Sequence, residues 1–327
     1  MLRSHRIAAA ALAAGLATAA PAAGQQVMVI ATNPPGSNYY AAAAAIGKLT
    51  QEKLGTQVRV QPTGGSNIYL PMVNRGEVEF SFASVQDIEF AYGGTENFAG
   101  KPHPDLRLVA AAFPLVLGLA VPADSPARTV ADVKGLRVGT GYAAMFVTLY
   151  NQDAMLATGG VTTAQMVSVP VPNQPKGVEA LGEGRVDVAV TGLTTGLARE
   201  AHARLQSRGG IRYLSLPQTP EAVAAMRKVI RRAYLHTYAP DPATPGLGSG
   251  TTAMHLTVFM ITHAKMDPET VYRIARLLHA SKPALAEATP TLQQFDPAFM
   301  AEAHAVPYHP GAIRFYQETG QWPARER

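Results

Sequence analysis

Short apolar segments alternate with stretches of helical periodicity along the chain from Val27 onward. The apolar segments are rich in β-branched and aromatic residues, which is typical of strands. The first four predicted strands are Val27–Ala31, Val58–Gln61, Phe80–Ala83 and Arg107–Phe113. Predicted helices follow the first three of them, starting near Asn38, Ser66 and Val85. This strand–loop–helix alternation predicts an α/β unit with a largely parallel sheet.

A second unit of the same kind covers roughly residues 116–235. Its predicted strands are Leu115–Val121, Leu136–Gly139, Met166–Val169, Val186–Val190 and Ile211–Leu216. Near the C-terminus one more apolar strand, Thr251–Thr262, is followed only by helical patterns. Because a lone strand cannot bury a sheet face by itself, we expect it to return to the first unit.

The predicted organisation is therefore an α/β protein of two lobes with a cleft between them. Lobe 1 takes residues 25–114 plus 251–327, and lobe 2 takes residues 115–250. Two hinge crossings follow from this division, one near Pro114-Leu115 and the other near Gly250-Thr251.

The first 24 residues have the pattern of a cleavable secretory signal. Arg3, His5 and Arg6 precede the 14-residue apolar run Ile7–Ala20, and small residues follow at Ala22-Ala23-Gly24. A run of this length is too short to cross a bilayer, which takes about 20 residues. We therefore expect an exported, periplasmic protein that is cleaved near residues 23–24.

Composition excludes several function classes. The chain has no cysteine, which rules out thiol catalysis, cysteine-based zinc sites and disulfides. Removing Arg3 and Arg6 with the leader lowers the net charge from +5 to +3. The tight basic group Arg227-Lys228-Arg231-Arg232 lacks interleaved aromatic residues, so no nucleic-acid partner is predicted. The nine histidines are scattered, and neither a metal site nor a cofactor is predicted.

Four loops are expected at the carboxyl ends of strands, where ligands bind in open α/β sheets. They are Asn33–Ser37, Thr63–Ser66, Gly139–Ala143 and Thr191–Thr195. Each loop is rich in Gly, Ser, Thr or Asn and leads into a predicted helix. Unsatisfied N–H groups and the positive dipole end at a helix N-terminus favour anions. The loops together therefore predict a site for a carboxylate.

Individual side chains extend this candidate site. Of Tyr39 and Tyr40, at most one faces the cleft, because adjacent helical positions point about 100° apart. Gln86 offers an uncharged donor and acceptor just after the third strand. The candidate ligand-binding residues are Asn33, Ser37, Asn38, Tyr39, Tyr40, Thr63, Gly64, Gly65, Ser66, Gln86, Thr140, Tyr142, Ala143, Met145 and Thr191.

Several segments, taken in order, resemble one known family. They are Gln61–Ser66, Gly76–Phe82 leading to Gln86-Asp87, Gly100–Pro102, Ala131–Gly139, Leu181–Ala189 and the tail Pro307–Ala312. In these segments the chain resembles the TAXI-type solute receptors of tripartite ATP-independent periplasmic (TRAP) transporters. The resemblance runs over nearly all of the chain beyond the leader.

This resemblance implies a type II periplasmic binding protein that closes on its ligand and delivers it to TRAP membrane subunits. The implied ligands are dicarboxylates, 2-oxo acids or acidic amino acids, such as glutamate or 2-oxoglutarate. Two loops depart from the family's usual pattern, at residues 32–40 and 139–145. The second has fewer hydroxyl groups than the family pattern, which leaves room for a larger or less polar carboxylate.

Two other functions remain open at this point. An exported lyase or dehydratase on the same fold needs an acid or base in the cleft, and only Tyr39, Tyr40 and Asp87 are near it. Asp87 and Glu89 are two positions apart, so a paired-carboxylate site is not predicted. No other enzyme signature is present, and a binding protein without catalysis is the preferred interpretation. A receptor that signals ligand occupancy to a membrane kinase is the second alternative.

Overall fold

The computed structural model describes residues 27–248 and 250–326, so the predicted signal at residues 1–24 lies outside the described residues. The strands are β1 Met28–Thr32, β2 Val58–Pro62, β3 Ser81–Ser84, β4 Leu106–Pro122, β5 Arg137–Gly141, β6 Val167–Val171, β7 Ala189–Gly192, β8 Ile211–Leu214, β9 Tyr234–Tyr238 and β10 Thr251–His263. The helices are α1 Asn38–Leu54, α2 Ser66–Arg75, α3 Val85–Gly93, α4 Val147–Ala157, α5 Gln174–Gly182, α6 Gly196–Arg204, α7 Pro220–Val229, α8 Pro268–Ala280, α9 Lys282–Ala288 and α10 Pro310–Glu318. Among these described helices none combines the length and the apolar character that a membrane crossing needs.

Two long antiparallel strands, β4 and β10, form a central two-stranded ribbon, called the β4–β10 ribbon, that runs through both lobes. They pair along most of their length, from Leu106 opposite His263 to Leu117 opposite Met254. Almost every residue of both strands is buried. At one end of this ribbon β10 pairs with β3. At the other end β9 pairs with β10, while β7 and β8 pair with β4.

Each end of the ribbon carries its own α/β unit. In lobe 1, β1 and β2 form a parallel pair, and a bridge from Ile30 to Phe80 joins them to the chain entering β3. In lobe 2, β5 and β6 form a second parallel pair, with a bridge from Val138 to Val188. The C-terminal helices return to lobe 1, where Tyr308 bridges to Leu108 on β4.

The expectation of a largely parallel sheet is wrong for the central sheet. All five strand pairings in this six-stranded sheet are antiparallel, and parallel pairing occurs in β1–β2 and β5–β6. The separate strands predicted at Arg107–Phe113 and Leu115–Val121 are one continuous strand through Pro114. A strand that runs on into the next lobe needs no crossover helix, so it can pair antiparallel with the returning β10.

β10 changes its outer neighbour from β9 to β3 at one place on the ribbon, and Pro114 of β4 lies opposite that place. β10 pairs with β9 up to His255 and with β3 from Val258, and Thr257 lies opposite Pro114. We therefore propose hinge crossings at Pro114 and near Thr257, so that Thr251–His255 goes with lobe 2. The lobe boundaries derived from the sequence otherwise remain our proposal.

Candidate functional site

A cavity of about 40 Å³ lies between the lobes, on one face of the β4–β10 ribbon. Leu115 and Leu117 form its floor, whereas Pro114 and Val116 line a separate cavity of about 330 Å³. Because alternate side chains of a strand point to opposite faces, the two cavities lie on opposite sides of the ribbon. The other lining residues of the first cavity are Asn33, Ser37, Asn38, Tyr39, Ser84, Asp87, Met145, Val147, Thr148, Asn151, Gln174, Val190, Gly192 and Thr195.

Within the described residues, five helices begin at the wall of this interlobe cavity. Their lining residues lie at the N-cap or in the first turn: Ser37 and Asn38 for α1, Ser84 for α3, Val147 and Thr148 for α4, Gln174 for α5 and Thr195 for α6. Each of these helices is at least nine residues long. Their dipoles therefore place partial positive charge around one small volume.

The serine and threonine caps explain why three of these helices start where they do. Ser37 Oγ accepts a hydrogen bond from the Tyr40 N–H at 3.2 Å, and Ser84 Oγ accepts one from the Asp87 N–H at 3.3 Å. Thr195 Oγ1 accepts from the Ala198 N–H at 3.1 Å. In each case the N-cap side chain satisfies an N–H three residues later. The N–H groups of the intervening residues have no partner within their own helix.

Asp87 is the one residue with an ionisable carboxyl group among the described residues of the cavity wall. Its carboxylate is buried and accepts hydrogen bonds from Ser66 Oγ at 3.0 Å and from Ser84 Oγ at 3.3 Å. Burial raises the pKa of the Asp87 carboxyl to about 7, against the lowering effect of the two serine hydroxyls. No lysine, arginine or histidine is among the described residues that line the cavity. Nor do the described residues include a group of three or more metal-ligating side chains.

Two asparagines add acceptor atoms from opposite lobes. The Oδ1 atoms of Asn33, after β1, and of Asn151, on α4, are buried and have no hydrogen-bond partner among the described residues. A buried polar atom without a hydrogen-bond partner destabilises the folded state by about 1–3 kcal/mol. Both residues line the cavity, so a bound molecule that donates hydrogen bonds would remove this penalty.

The lobes touch directly beside the cavity. Asn67 Nδ2 donates to the Ala143 carbonyl at 2.8 Å, and Asn173 Nδ2 donates to the Gly64 carbonyl at 3.0 Å. A Cβ at Gly65 would lie 2.2 Å from the Ala144 carbonyl oxygen. The structure therefore shows the cleft in a closed arrangement, with the start of α2 packed against the loop after β5.

Part of the residue set that the sequence predicted lines the cavity. The lining members are Asn33, Ser37, Asn38, Tyr39 and Met145. Tyr39 is buried and packs edge-on against Phe82 and Phe113, and its neighbour Tyr40 is half-buried outside the cavity. The ten members that do not line the cavity are Tyr40, Thr63, Gly64, Gly65, Ser66, Gln86, Thr140, Tyr142, Ala143 and Thr191.

The loop after β5 differs most from its prediction. Tyr142 has a φ of +42°, and α4 begins only at Val147, four residues after the loop Gly139–Ala143 that was expected to lead directly into a helix. The Tyr142 ring is buried in the core of lobe 2, where its hydroxyl donates to Gln152 at 3.4 Å. Thr140 Oγ1 lies 2.5 Å from Ser168 Oγ on the neighbouring β6. The left-handed backbone at Tyr142 thus turns this ring away from the cleft.

The predicted loop Thr63–Ser66 supports the site instead of lining it. Thr63 Oγ1 donates to the Thr32 carbonyl at 3.2 Å, which ties the loop to the end of β1. Ser66 holds the Asp87 carboxylate, and Thr191 is buried in β7 beside Thr195. Gln86 is half-buried on α3, one position before the cavity-lining Asp87. The sequence places Asp87 near the cleft only as an acid or base for the enzyme alternative, and not among the ligand-binding residues. Ser84, three residues before it, marks the start of α3 and is the local signal that points to Asp87.

Comparisons with known proteins agree with this architecture. A structure of the periplasmic binding protein BugD covers 90% of this chain and 95% of its own, with a TM-score of 0.57 and 12% identity. PhnD1 from Prochlorococcus marinus (MIT 9301), solved with methylphosphonate, covers 90% and 98%, with a TM-score of 0.53 and 8% identity. A structure described as a periplasmic transporter covers 92% and 94%, with a TM-score of 0.56 and 14% identity. These likenesses show the fold, a type II periplasmic binding-protein fold of two lobes.

The sequence model that describes the NMT1-like family matches residues 30–320 of the chain. This match takes in both lobes and every residue that lines the cavity. It does not separate the TAXI type from other periplasmic receptors. The chain thus belongs to the NMT1-like family of periplasmic solute-binding proteins.

Proposed function

We propose that the protein binds a small carboxylate in the interlobe cavity and delivers it to the membrane subunits of a TRAP transporter. The observation that carries the carboxylate is the convergence of five helix N-termini on one cavity without a cationic side chain among its described lining residues. Backbone N–H groups and aligned dipoles bind an anion in such a place without a charged partner. A lobe pair that closes over the ligand then presents a changed surface to a membrane partner.

Delivery to a TRAP permease is supported by the ordered segments that resemble TAXI receptors. Among them, Gln61–Ser66 supplies the loop that meets Ala144 across the cleft, and Gln86-Asp87 supplies the cavity-lining carboxylate. These segments lie where the lobes meet and where the ligand is proposed to bind. The role proposed for the chain is binding. The described lining residues include one carboxyl group, that of Asp87, and one phenol, that of Tyr39, whose pKa burial raises well above its ordinary value.

Calorimetry tests the ligand class. Residues 25–327, freed of carried-over ligand by unfolding and refolding, are titrated with pyruvate, 2-oxoglutarate, succinate, L-alanine, L-glutamate and glucose. We expect binding within the carboxylates and none with glucose. A ligand at 100 times its Kd stabilises the folded state by about 2.7 kcal/mol, so a thermal-shift scan provides a second readout. Failure of every carboxylate, on a folded protein, would contradict the proposed function.

Delivery is tested separately in proteoliposomes. The membrane subunits of a TRAP transporter from the same genome are reconstituted, and uptake of the radiolabelled carboxylate found above is measured. We expect uptake that depends on adding the closed, liganded protein. Binding without any stimulation of uptake would remove the permease from the proposal and leave the receptor role intact.

A further inference from the structure

We infer that Asp87 is a specificity-determining residue that receives a protonated amine of the ligand, so that the ligand is a small amino acid and not a 2-oxo acid or a dicarboxylate that lacks an amine. This inference rests on the proposed function, because it identifies the group that the same ligand carries besides the carboxylate held at the helix N-termini. It follows from the distribution of acceptor atoms in the cavity, which the helix N-termini do not explain.

The acceptors proposed for the amine are carboxylate or amide oxygens of three residues that line the cavity. The Asp87 carboxylate accepts from two serine hydroxyls, Ser66 and Ser84, and no lysine, arginine or histidine lines the cavity within the described part of the chain. The Oδ1 atoms of Asn33 and Asn151 are buried without a partner among the described residues. A protonated amine has three N–H donors and no acceptor. It therefore matches one carboxylate and two amide oxygens around a cavity of about 40 Å³.

The charge of the wall favours the same assignment. Two carboxylates of a dicarboxylate, placed beside Asp87, would put three negative groups in a small volume shielded from water, where repulsion is strong. A zwitterion instead adds one positive group beside Asp87 and one negative group at the helix N-termini. Asn33 and Asp87 belong to lobe 1, whereas Asn151 lies on α4 of lobe 2. An amine held by all three would therefore bind the two lobes together.

Two phenols among the described residues interact with the charge of Asp87. Tyr39 on α1 and Tyr69 on α2 face it, and burial, followed by neighbouring charge, raises the pKa of both phenols, so that they stay neutral. Glu89, on the same helix, does not line the cavity. With the pKa of Asp87 raised to about 7 by burial, its ionised fraction changes about tenfold between pH 6 and pH 8.

Matched ligand pairs test the inference. Calorimetry compares L-alanine with pyruvate and L-glutamate with 2-oxoglutarate, since each pair differs in an amine replaced by a ketone. We expect the amino member of a pair to bind at least about tenfold more tightly at pH 8. Asp87→Asn is expected to weaken that ligand about 10- to 100-fold and leave the oxo acid little changed. Asp105→Asn, a carboxylate outside the cavity, serves as the matched control.

A pH profile separates a ligand contact from a structural role. For the wild type, the affinity for the amino ligand is expected to rise about tenfold from pH 6 to pH 8, and this rise is expected to be absent in Asp87→Asn. Asp87→Asn is checked for an unchanged circular dichroism spectrum before titration. Equal binding of amino and oxo acids, or an unchanged pH profile in the variant, would overturn the inference while leaving the proposed function standing. If no carboxylate binds to the folded protein, the proposed function itself is overturned.

Discussion

At the scale of single residues, a buried carboxyl group works against the stability of the ligand-free protein. Burial raises the pKa of Asp87 from 3.8 to about 7. Between these two pH values the folded state holds a proton that the unfolded state has released. Stability therefore falls as the pH rises from about 4 to about 7, and the loss persists above pH 7. The shift corresponds to a loss on the order of 4 kcal/mol.

Asp87→Asn is expected to stabilise the ligand-free protein at pH 8, because a neutral amide replaces a buried charge. Ser66 and Ser84 can still donate to the amide oxygen. Near pH 4 the advantage should largely disappear, since Asp87 is then protonated in the folded state. The measurement is the Tm of both proteins at the two pH values, with Asp105→Asn as the control. A variant Tm at pH 8 equal to or below that of the wild type would contradict the raised pKa.

At the scale of elements, the start of α2 determines how closely the lobes can approach. Gly65 is the N-cap of α2, with a φ of +156°, and its Cα faces the Ala144 carbonyl oxygen of the other lobe. Asn67, in the first turn of α2, donates to the Ala143 carbonyl. At Gly65 the two lobes therefore meet through backbone atoms, and no side chain fits between them at that position.

Gly65→Ala is therefore expected to weaken ligand binding about tenfold or more, because its methyl group prevents this closed arrangement. Gly93→Ala is the control, since a Cβ at that exposed position of α3 meets nothing closer than 3.7 Å. Calorimetry measures the affinity, and small-angle scattering measures whether ligand still reduces the radius of gyration. Unchanged affinity and unchanged compaction in Gly65→Ala would show that ligand binding does not require this contact.

At the scale of the whole molecule, the β4–β10 ribbon separates two cavities. The cavity of about 40 Å³ lies on one face and the cavity of about 330 Å³ on the other. A bend of the ribbon at Pro114 and Thr257 that opens the first cavity would close the second. Asn38 lines both cavities, so the N-terminus of α1 lies at the boundary between them. Ligand entry then requires movement of one lobe as a unit.

A disulfide across the cleft tests this movement. The Cβ positions of Gly64 and Ala144 are 3.3 Å apart, just below the 3.5–4.5 Å that disulfides span, and the native chain has no cysteine. We expect the oxidised Gly64→Cys/Ala144→Cys protein to lose ligand association and to regain it on reduction. Mass spectrometry verifies the crosslink, and each single variant is the control. Equal association rates for the oxidised and reduced forms would contradict entry through this cleft.

The amino-acid sequence by itself determined the order of most strands and helices and the absence of thiol chemistry. It also identified two loops that reach the cavity, Asn33–Ser37 and Thr191–Thr195. These features depend on local periodicity and on capping residues, which a short window of sequence contains. Of Tyr39 and Tyr40 the sequence allowed at most one at the cleft, and the structure decided that Tyr39 lines the cavity. The export signal remains a prediction, since residues 1–24 lie outside the described part.

Only the tertiary structure decided which groups meet at the cavity. Packing of the two lobes around the β4–β10 ribbon brings together Ser84, Asn151 and Gln174. These residues are too far apart in the sequence for any local periodic pattern to predict that they meet. The antiparallel return of β10 had no local signal, and the half-exposed edge strand β9 was not predicted. Asp87 became a candidate because burial, and not its neighbours in sequence, sets the charge of its carboxyl group.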